Sequence, residues 1–438
     1  MEIQNYEQAL QFIHGRTQFK KIPTLKRMRR LMQELGDPQK TLTMIHVTGT
    51  NGKGSTVAFL RSILMAAGNH VGTFTSPFIT RFNERISLDN QPIDDQNLVT
   101  YTQRVKTVVD HLDQVLPEGG PTEFEIVTAI MFLYFRDVHP DVVIVEVGIG
   151  GLYDSTNIIV PAVSAITTVG YDHMNILGNT LTEIATQKAG IIKPNVPVVI
   201  GQLPNEALTV ISADAQHKNA TLIQPEVDYQ VTLLEHQGLM TQLEFSDAQV
   251  GREKLQISLF GDYQVQNAGV AVATVIAFWN RQSIPVDWSA IRQGVKTTRW
   301  PGRMELVNET PAIILDGAHN LPAMKALRAT IEHNFSQRDV YLLVAMLADK
   351  QTHEMIDELR AIPGIHLVLT TFAGPKKQRP GASIEQLITD RPDKRQIQTV
   401  PTWQDGVTQL AHQLSGDDIL IITGSLYFIS DVRHYFKD

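Results

Sequence analysis

One short segment, Val47-Thr48-Gly49-Thr50-Asn51-Gly52-Lys53-Gly54-Ser55, combines the residue types that hold phosphate groups. Glycines let the backbone curl so that successive N–H groups point into one concavity, and a lysine there sets a cation beside the anion. The apolar run Leu42 to Val47 precedes the segment and an amphipathic stretch from about Thr56 follows it. That is the strand, loop and helix context a phosphate loop requires. The spacing is a variant of G-x-x-x-x-G-K-[ST], because Val47 occupies the first glycine position and Gly54 separates Lys53 from Ser55. A plain Gly-Asn turn with a solvated lysine is the alternative. The flanking pattern favours an ATP phosphate site formed by Gly49, Thr50, Asn51, Gly52, Lys53, Gly54 and Ser55.

Three other clusters follow apolar runs, where open α/β sheets place ligands. Glu146 ends the run Asp141-Val142-Val143-Ile144-Val145 and precedes Val147-Gly148-Ile149-Gly150-Gly151. A carboxylate in such a run must be paired, protonated or bound to a cation. Glu146 is therefore a metal-ligand candidate, with a structural ion pair as the alternative. Tyr171-Asp172-His173 follows Val163–Val169; beside a phosphate loop, His173 reads better as a metal or phosphate contact than as a structural histidine. Asp316-Gly317-Ala318-His319-Asn320 places an acid and a histidine after another run, the alternative being a helix cap at Asp316 or Asn320.

These residues need a frame. Leu42–Val47, Val142–Val147, Val163–Val169 and Val196–Ile200 are β-branched runs with helical stretches between them, the rhythm of a parallel sheet buried on both faces. The helix after the glycine loop carries Val57, Leu60, Leu64 and Ala67 and stops at Gly68; another begins at the capping box Thr180-Leu181-Thr182-Glu183 and stops at Gly190. From about Gly201 to Phe260 the pattern turns polar and alternating, which predicts antiparallel strands on the edge of the first domain. A helix is expected over Tyr263–Trp279. The Pro/Gly break within 297–303 reads as a linker between a domain over 1–296 and one over 304–438. In the second, the runs Ala312–Leu315, Val340–Met346, His366–Thr371 and Asp418–Thr423 restart the βα series. The expected fold is α/β: a P-loop parallel-sheet ATPase domain with antiparallel edge strands, then a smaller Rossmann-like α/β domain. Polar groups at strand ends in both suit a cleft that brings a nucleotide and two other substrates together.

The 438 residues are 43% hydrophobic, enough for more than one core, and contain no cysteine, which excludes thiolate chemistry and disulfides. No run approaches a membrane span and the N-terminus lacks a signal pattern, so a cytoplasmic protein is expected. A net charge of −8 with mixed signs argues against nucleic acid as a partner. The basic run from Lys20-Lys21 to Arg29-Arg30 reads as a solvated helix face. Nothing marks an assembly surface, and a monomer is the expectation.

Taken together, the motifs resemble those of folylpolyglutamate synthases, the folate branch of the Mur ligase superfamily. The likeness runs along nearly the whole chain: Leu35-Gly36-Asp37-Pro38-Gln39, His46–Ser55, Thr75-Ser76-Pro77-Phe78, Phe82-Asn83-Glu84-Arg85-Ile86, Glu146–Gly151 with Asp154-Ser155-Thr156-Asn157, Asp172-His173, Lys188-Ala189-Gly190-Ile191-Ile192-Lys193, Gly261-Asp262-Tyr263-Gln264, Asp316–Asn320 and Thr423-Gly424-Ser425-Leu426-Tyr427. Gly54, Asp316–His319 and the Lys188–Lys193 segment match the folate branch rather than the muramyl ligases. The resemblance implies an ATP-dependent ligase that adds L-glutamate to the γ-carboxylate of folate through an acyl phosphate. A muramyl-type ligase and an NTPase switch that ligates nothing are the rival readings.

By the same resemblance Ser76, Glu146 and His173 would hold Mg²⁺, and Lys188 matches a lysine that is carbamylated in this family. Asn267 matches an adenine contact, Arg303 a phosphate contact, and Phe124 and Asp154 folate contacts. Asp316, His319 and Ser425 match the pocket for the incoming glutamate, with His319 able to touch the γ-phosphate instead. One departure stands out. Many bacterial relatives that also make dihydrofolate carry an arginine after the glycine pair, where this chain has Leu152, so the second activity, dihydrofolate synthase, is the alternative rather than the first expectation.

Overall fold

The computed structural model describes residues 3–17, 24–117, 119–248, 251–375, 379–388 and 397–437. Its internal contacts divide the chain into two compact units, one of Met1–Val231, Glu244–Leu255 and Gln266–Thr298, the other of Thr232–Leu243, Gln256–Val265 and Arg299–Asp438.

In the first unit the β-branched runs form strands β1 (Met44–Thr48), β2 (Val71–Phe74), β3 (Ile86–Leu88), β4 (Gln91–Pro92), β5 (Val142–Glu146), β6 (Val163–Ile166), β7 (Val198–Ile200) and β8 (Leu222–Ile223). They build one sheet in the order β4-β3-β2-β5-β1-β6-β7-β8. All neighbours are parallel except at the β3 and β4 edge, where pairing is antiparallel. Every residue of β1 and β5 is buried, as a parallel sheet covered on both faces demands. Because β1 lies between β5 and β6, with Val47 level with Glu146 and Thr48 level with Ile166, the segments leaving these strands emerge side by side.

The helix after the glycine loop begins at Lys53, three residues before the apolar pattern becomes visible, and runs to Ala66. At Thr180 the capping box forms: Glu183 N–H donates to Thr180 Oγ1 at 3.2 Å, Thr180 N–H donates to Glu183 Oε2 at 3.0 Å, and the helix Leu181–Ala189 follows.

The polar stretch after Gly201 is more varied than its composition suggests. It contains the helix Asn205–His217, whose Ala207, Ile211 and Ala215 are buried at four-residue spacing, and then β8. Its alternating part forms β9 (Tyr229–Gln237), β10 (Met240–Asp247) and β11 (Gly251–Ile257), a three-stranded sheet of their own rather than a continuation of the large sheet. The basic run also departs from expectation. Arg27 is buried and its Nε donates to Glu125 Oε2 at 2.9 Å, whereas Lys20 and Lys21 lie outside the described residues.

The second unit contains β12 (Glu305–Asn308), β13 (Ala312–Leu315), β14 (Val340–Val344), β15 (His366–Leu369), β16 (Ile397–Thr399) and β17 (Ile419–Thr423). Their order is β12-β13-β17-β14-β15-β16, parallel except for β12 on β13. Met324, Leu327 and Ile331 of the helix Leu321–Asn334 pack with Ile314, Leu342, Val344 and Ile421 in its core. Among the described residues no helix is long and apolar enough to cross a membrane.

Candidate active site

The glycine loop leaves β1 and is braced by the segment leaving β6. Thr50 N–H donates to Thr168 O at 2.9 Å and Asn51 N–H to Thr168 Oγ1 at 2.9 Å, while Thr167 Oγ1 donates to Asn51 O at 2.5 Å. Thr50 Oγ1 in turn donates to Gly170 O at 3.0 Å. Two glycines are required by this packing. A Cβ at Gly49 would lie 1.9 Å from Thr167 Oγ1, and one at Gly52, where φ is 85°, would lie 2.2 Å from Asn267 Oδ1. The loop thus opens directly into the N-terminus of the helix starting at Lys53, the end of a helix that attracts anions. Lys53 Nζ donates to Gly49 O at 2.9 Å and Thr50 O at 3.2 Å, so its charge sits on the loop itself.

One pocket is lined by Gly49, Thr50 and Lys53, by Gly148, Ile149 and Gly150 after β5, by Asp172, His173 and Leu177 after β6, and by Lys188. Lys53, His173 and Lys188, far apart in sequence, therefore meet in space. His173 adopts a left-handed conformation, φ 49°, with its N–H donating to Asp172 Oδ1 at 2.8 Å. Lys188, in the last turn of its helix, is only 2% exposed. Burial drives its ammonium well below the usual lysine range; the nearby charge of Lys53 adds to this and Asp172 opposes it.

Glu146 ends β5 and is buried, with Oε2 accepting the Ser76 N–H at 3.1 Å. Since β2 is the neighbour of β5, Ser76 reaches this edge from the segment after β2. Phe124 and Asp154 flank Gly148: a Cβ there would lie 2.7 Å from the Phe124 ring and 3.1 Å from Asp154 Oδ2. Asp154 accepts from Ile149 N–H at 3.0 Å and from Thr156 Oγ1 at 2.6 Å, yet burial still holds its carboxyl above the usual range. Asn267 lies in the helix Asp262–Arg281, against Gly52.

Behind this carboxylate stands His46, a fully buried residue of β1. Its Nε2 is 2.9 Å from Thr156 Oγ1. The Thr156 hydroxyl proton goes to Asp154, so the ring donates from Nε2. Burial, reinforced by Lys193, pushes the imidazole down to about 3 and keeps it neutral.

In the second unit, Asp316 leaves β13 and is 3% exposed. Its Oδ1 accepts the Ala318 N–H at 2.9 Å; its Oδ2 accepts the Met304 N–H and the Tyr263 hydroxyl, each at 3.1 Å. Burial raises its pKa, and the Arg303 guanidinium opposes that shift. Arg303 lies against Gly317, where a Cβ would come within 2.1 Å of Nη1. His319 Nδ1 is 2.8 Å from Gly317 O, which can only accept, so this nitrogen carries the proton. Asn320, not Asp316, caps the following helix, accepting from Ala323 N–H at 3.0 Å. Ser425, buried after β17, accepts from Tyr427 N–H at 3.3 Å at the head of the helix Leu426–Lys437.

Sequence reasoning overlooked Thr167 and Thr168, whose β-branched side chains look like strand residues, and treated Asp172 only as the neighbour of His173. It also missed His46. A histidine inside an apolar strand was the available signal there.

Two family models match this architecture, the Mur ligase middle domain over residues 47–275 and the Mur ligase glutamate ligase domain over residues 302–426. The chain is 41% identical to the dihydrofolate synthase/folylpolyglutamate synthase of Bacillus subtilis, over 99% of each chain. It is 37% identical to the folylpolyglutamate synthase of Lacticaseibacillus casei, over 98% of each. A solved FPGS-AMPPCP-folate complex superposes with a TM-score of 0.86 at 35% identity, covering 99% of this chain and 100% of that one. The chain belongs to the Mur ligase family, in its dihydrofolate synthase/folylpolyglutamate synthase branch.

Proposed function

We propose that this chain is an ATP-dependent ligase that joins L-glutamate to the γ-carboxylate of a folate, giving a folylpolyglutamate, ADP and phosphate. The observation that carries the reading is full-length similarity to relatives of that name, one of them solved with AMPPCP and folate. The braced glycine loop supports it independently, because such a loop at a helix N-terminus suits a triphosphate.

In this reading the first unit carries the nucleotide and the second takes the amino acid, with the boundary in the 297–303 segment. Loop residues Gly49–Ser55 cradle the phosphates, Asn267 contacts the adenine and Arg303 a phosphate. Lys53 offsets charge as the γ-phosphoryl group moves to the carboxylate, a step dominated by positioning and electrostatics. The resulting acyl phosphate is attacked by the glutamate amine, which loses a proton, and phosphate leaves. Phe124 and Asp154 face the folate. Asp316, His319 and Ser425 hold the incoming glutamate.

For Mg²⁺ the donor set fits. Among the described residues no cluster of three His, Asp or Glu side chains could cage a metal alone. Mg²⁺ commonly takes one or two carboxylates and completes its shell with substrate phosphates and water. Glu146, with Ser76 and His173, supplies that partial set. When bound, the ion would neutralise phosphate charge during transfer.

Lys188 fits carbamylation. Burial favours its neutral amine, whose nitrogen can bond to CO2 with release of one proton, and the same Lys53 charge that disfavours an ammonium favours the carbamate anion. A ¹³CO2-labelled carbamate signal lost in Lys188→Met would check this. We take the protein to act as a cytoplasmic monomer.

The deciding assay is phosphate release from ATP and Mg²⁺ with L-glutamate plus tetrahydrofolate, dihydropteroate or a muramyl-peptide precursor, with products identified by mass. Turnover with tetrahydrofolate is expected; folate-independent turnover would overturn the reading in favour of an NTPase. A bifunctional enzyme is the second reading, favoured by the name of the Bacillus subtilis relative. Leu152, whose N–H is tied to Gln187 O at 2.7 Å, marks the place where dihydropteroate turnover would then have to be accommodated without an arginine.

A further inference from the structure

Tyr263 belongs to no role assigned above, yet its hydroxyl lies 3.1 Å from Asp316 Oδ2. The phenol donates and the carboxylate accepts, since burial and then the Asp316 charge itself push the phenol far above its ordinary range. The ring is aimed by its own turn: a Cβ at Gly261, where φ is 113°, would lie 2.9 Å from the Tyr263 ring, so only glycine leaves it room. The second donor to Oδ2 is the Met304 amide, delivered from a backbone with φ of 46°, a conformation that non-glycine residues seldom adopt. A strained amide and a closely packed phenol thus converge on one carboxylate oxygen. Such convergence fixes the direction of the carboxylate rather than merely satisfying it.

We infer that Tyr263 is a positioning residue that fixes the Asp316 carboxylate for the amino-acid substrate. The inference rests on the proposed role of Asp316 in the glutamate pocket. Besides Tyr263, Arg303 acts on Asp316, through its charge. Both hold the carboxyl down against the upward pull of burial. Removal of the hydroxyl therefore lifts the pKa of Asp316 further, and the ionised fraction falls first on the acid side.

The test is Tyr263→Phe in the full chain, which keeps the ring and removes only the hydroxyl, assayed beside Asp316→Asn. Expected for Tyr263→Phe is a five- to tenfold rise in KM for L-glutamate, about one hydrogen bond's worth, with KM for ATP unchanged. The acid limb of kcat/KM for glutamate should also move to higher pH. A variant with wild-type glutamate KM and pH profile, even if thermally weakened, overturns the inference as long as Asp316→Asn loses glutamate affinity. If Asp316→Asn also keeps its glutamate KM, the assignment of Asp316 to the glutamate pocket has failed, and the role of Tyr263 falls with it.

Discussion

The edges at the ends of β1, β5 and β6 and at the ends of β13 and β17 are both carboxyl ends of adjacent parallel strands but treat buried charge in opposite ways. The first buries a lysine, Lys188, beside another cation, Lys53, so that the environment works against its charge. The second buries a carboxylate, Asp316, and surrounds it with the donors Ala318, Met304 and Tyr263 and with the Arg303 guanidinium. Burial alone would discharge both groups. What differs is compensation: the cationic edge leaves its charge exposed to repulsion, as a site awaiting a polyanion would, while the acidic edge is satisfied from within its own unit. The lesson is that a parallel strand end has no intrinsic chemistry, and the sign and pairing of the residues on it decide which ligand it suits.

The largest effect should come from emptying the cationic edge of its loop charge. Lys53→Ala is expected to lower the rate of ATP-dependent phosphate release by about a thousandfold, the scale of losing one electrostatic contact to a transition state. Steady-state rates check this, and a drop of less than tenfold would remove Lys53 from the reaction. The acidic edge should respond in stability as well as in glutamate affinity. Asp316→Asn places an amide where the Met304 or Ala318 N–H needs an acceptor, which should cost roughly 1–3 kcal/mol in urea unfolding.

Lys188→Met should act in the other direction. It keeps most of the apolar stem and removes a charge the fold disfavours, so stability at pH 7 in CO2-free buffer should rise by roughly 1–2 kcal/mol while turnover falls. The pH dependence follows from the sign of the shift. With the lysine depressed in the folded state, the unfolded chain binds more protons from the folded value up to the ordinary value of 10.5. Wild-type stability therefore recovers as pH rises through that window, and the advantage of the variant should shrink and vanish near its upper end. A difference in melting temperature that stays constant from pH 7 to 10 would show that Lys188 is not the buried amine with depressed basicity described above.

Much of this contrast was legible in the sequence, and the remainder was hidden for identifiable reasons. The run Ala312–Leu315 coincides with β13, and the glycine loop, Glu146 and Asp316 all announce themselves as polar residues that interrupt apolar runs. Lys188 does not. A lysine in a last helical turn looks like a favourable surface charge, and only tertiary packing reveals it as buried. The strand Val71–Phe74 escaped because it is four residues long and contains a glycine. The helix Asn205–His217 escaped because its buried face consists of Ala207, Ile211 and Ala215, too sparse to stand out from polar neighbours. Arg27 was read by its charged neighbours, whereas its environment is set by Glu125, which lies far along the chain.

The smallest expected effect isolates how the cationic edge is shaped rather than charged. Thr167 Oγ1 donates to Asn51 O at 2.5 Å and occupies the space that a side chain at Gly49 would need. Thr167→Val is close to isosteric, so packing against Gly49 persists while that donor is lost and the Thr168 Oγ1 donor to Asn51 O, at 3.1 Å, remains. Loss of one such bond is worth about 1 kcal/mol. The loop amides should then be less well ordered before phosphate arrives, and KM for ATP should rise about fivefold. The Thr167 and Thr168 bonds to this loop lie within the first unit, so KM for L-glutamate should be unchanged. A Thr167→Val enzyme with higher KM for both substrates would mean that the two edges do not act separately, and one with neither altered would mean that the Thr167 hydroxyl does not order the loop.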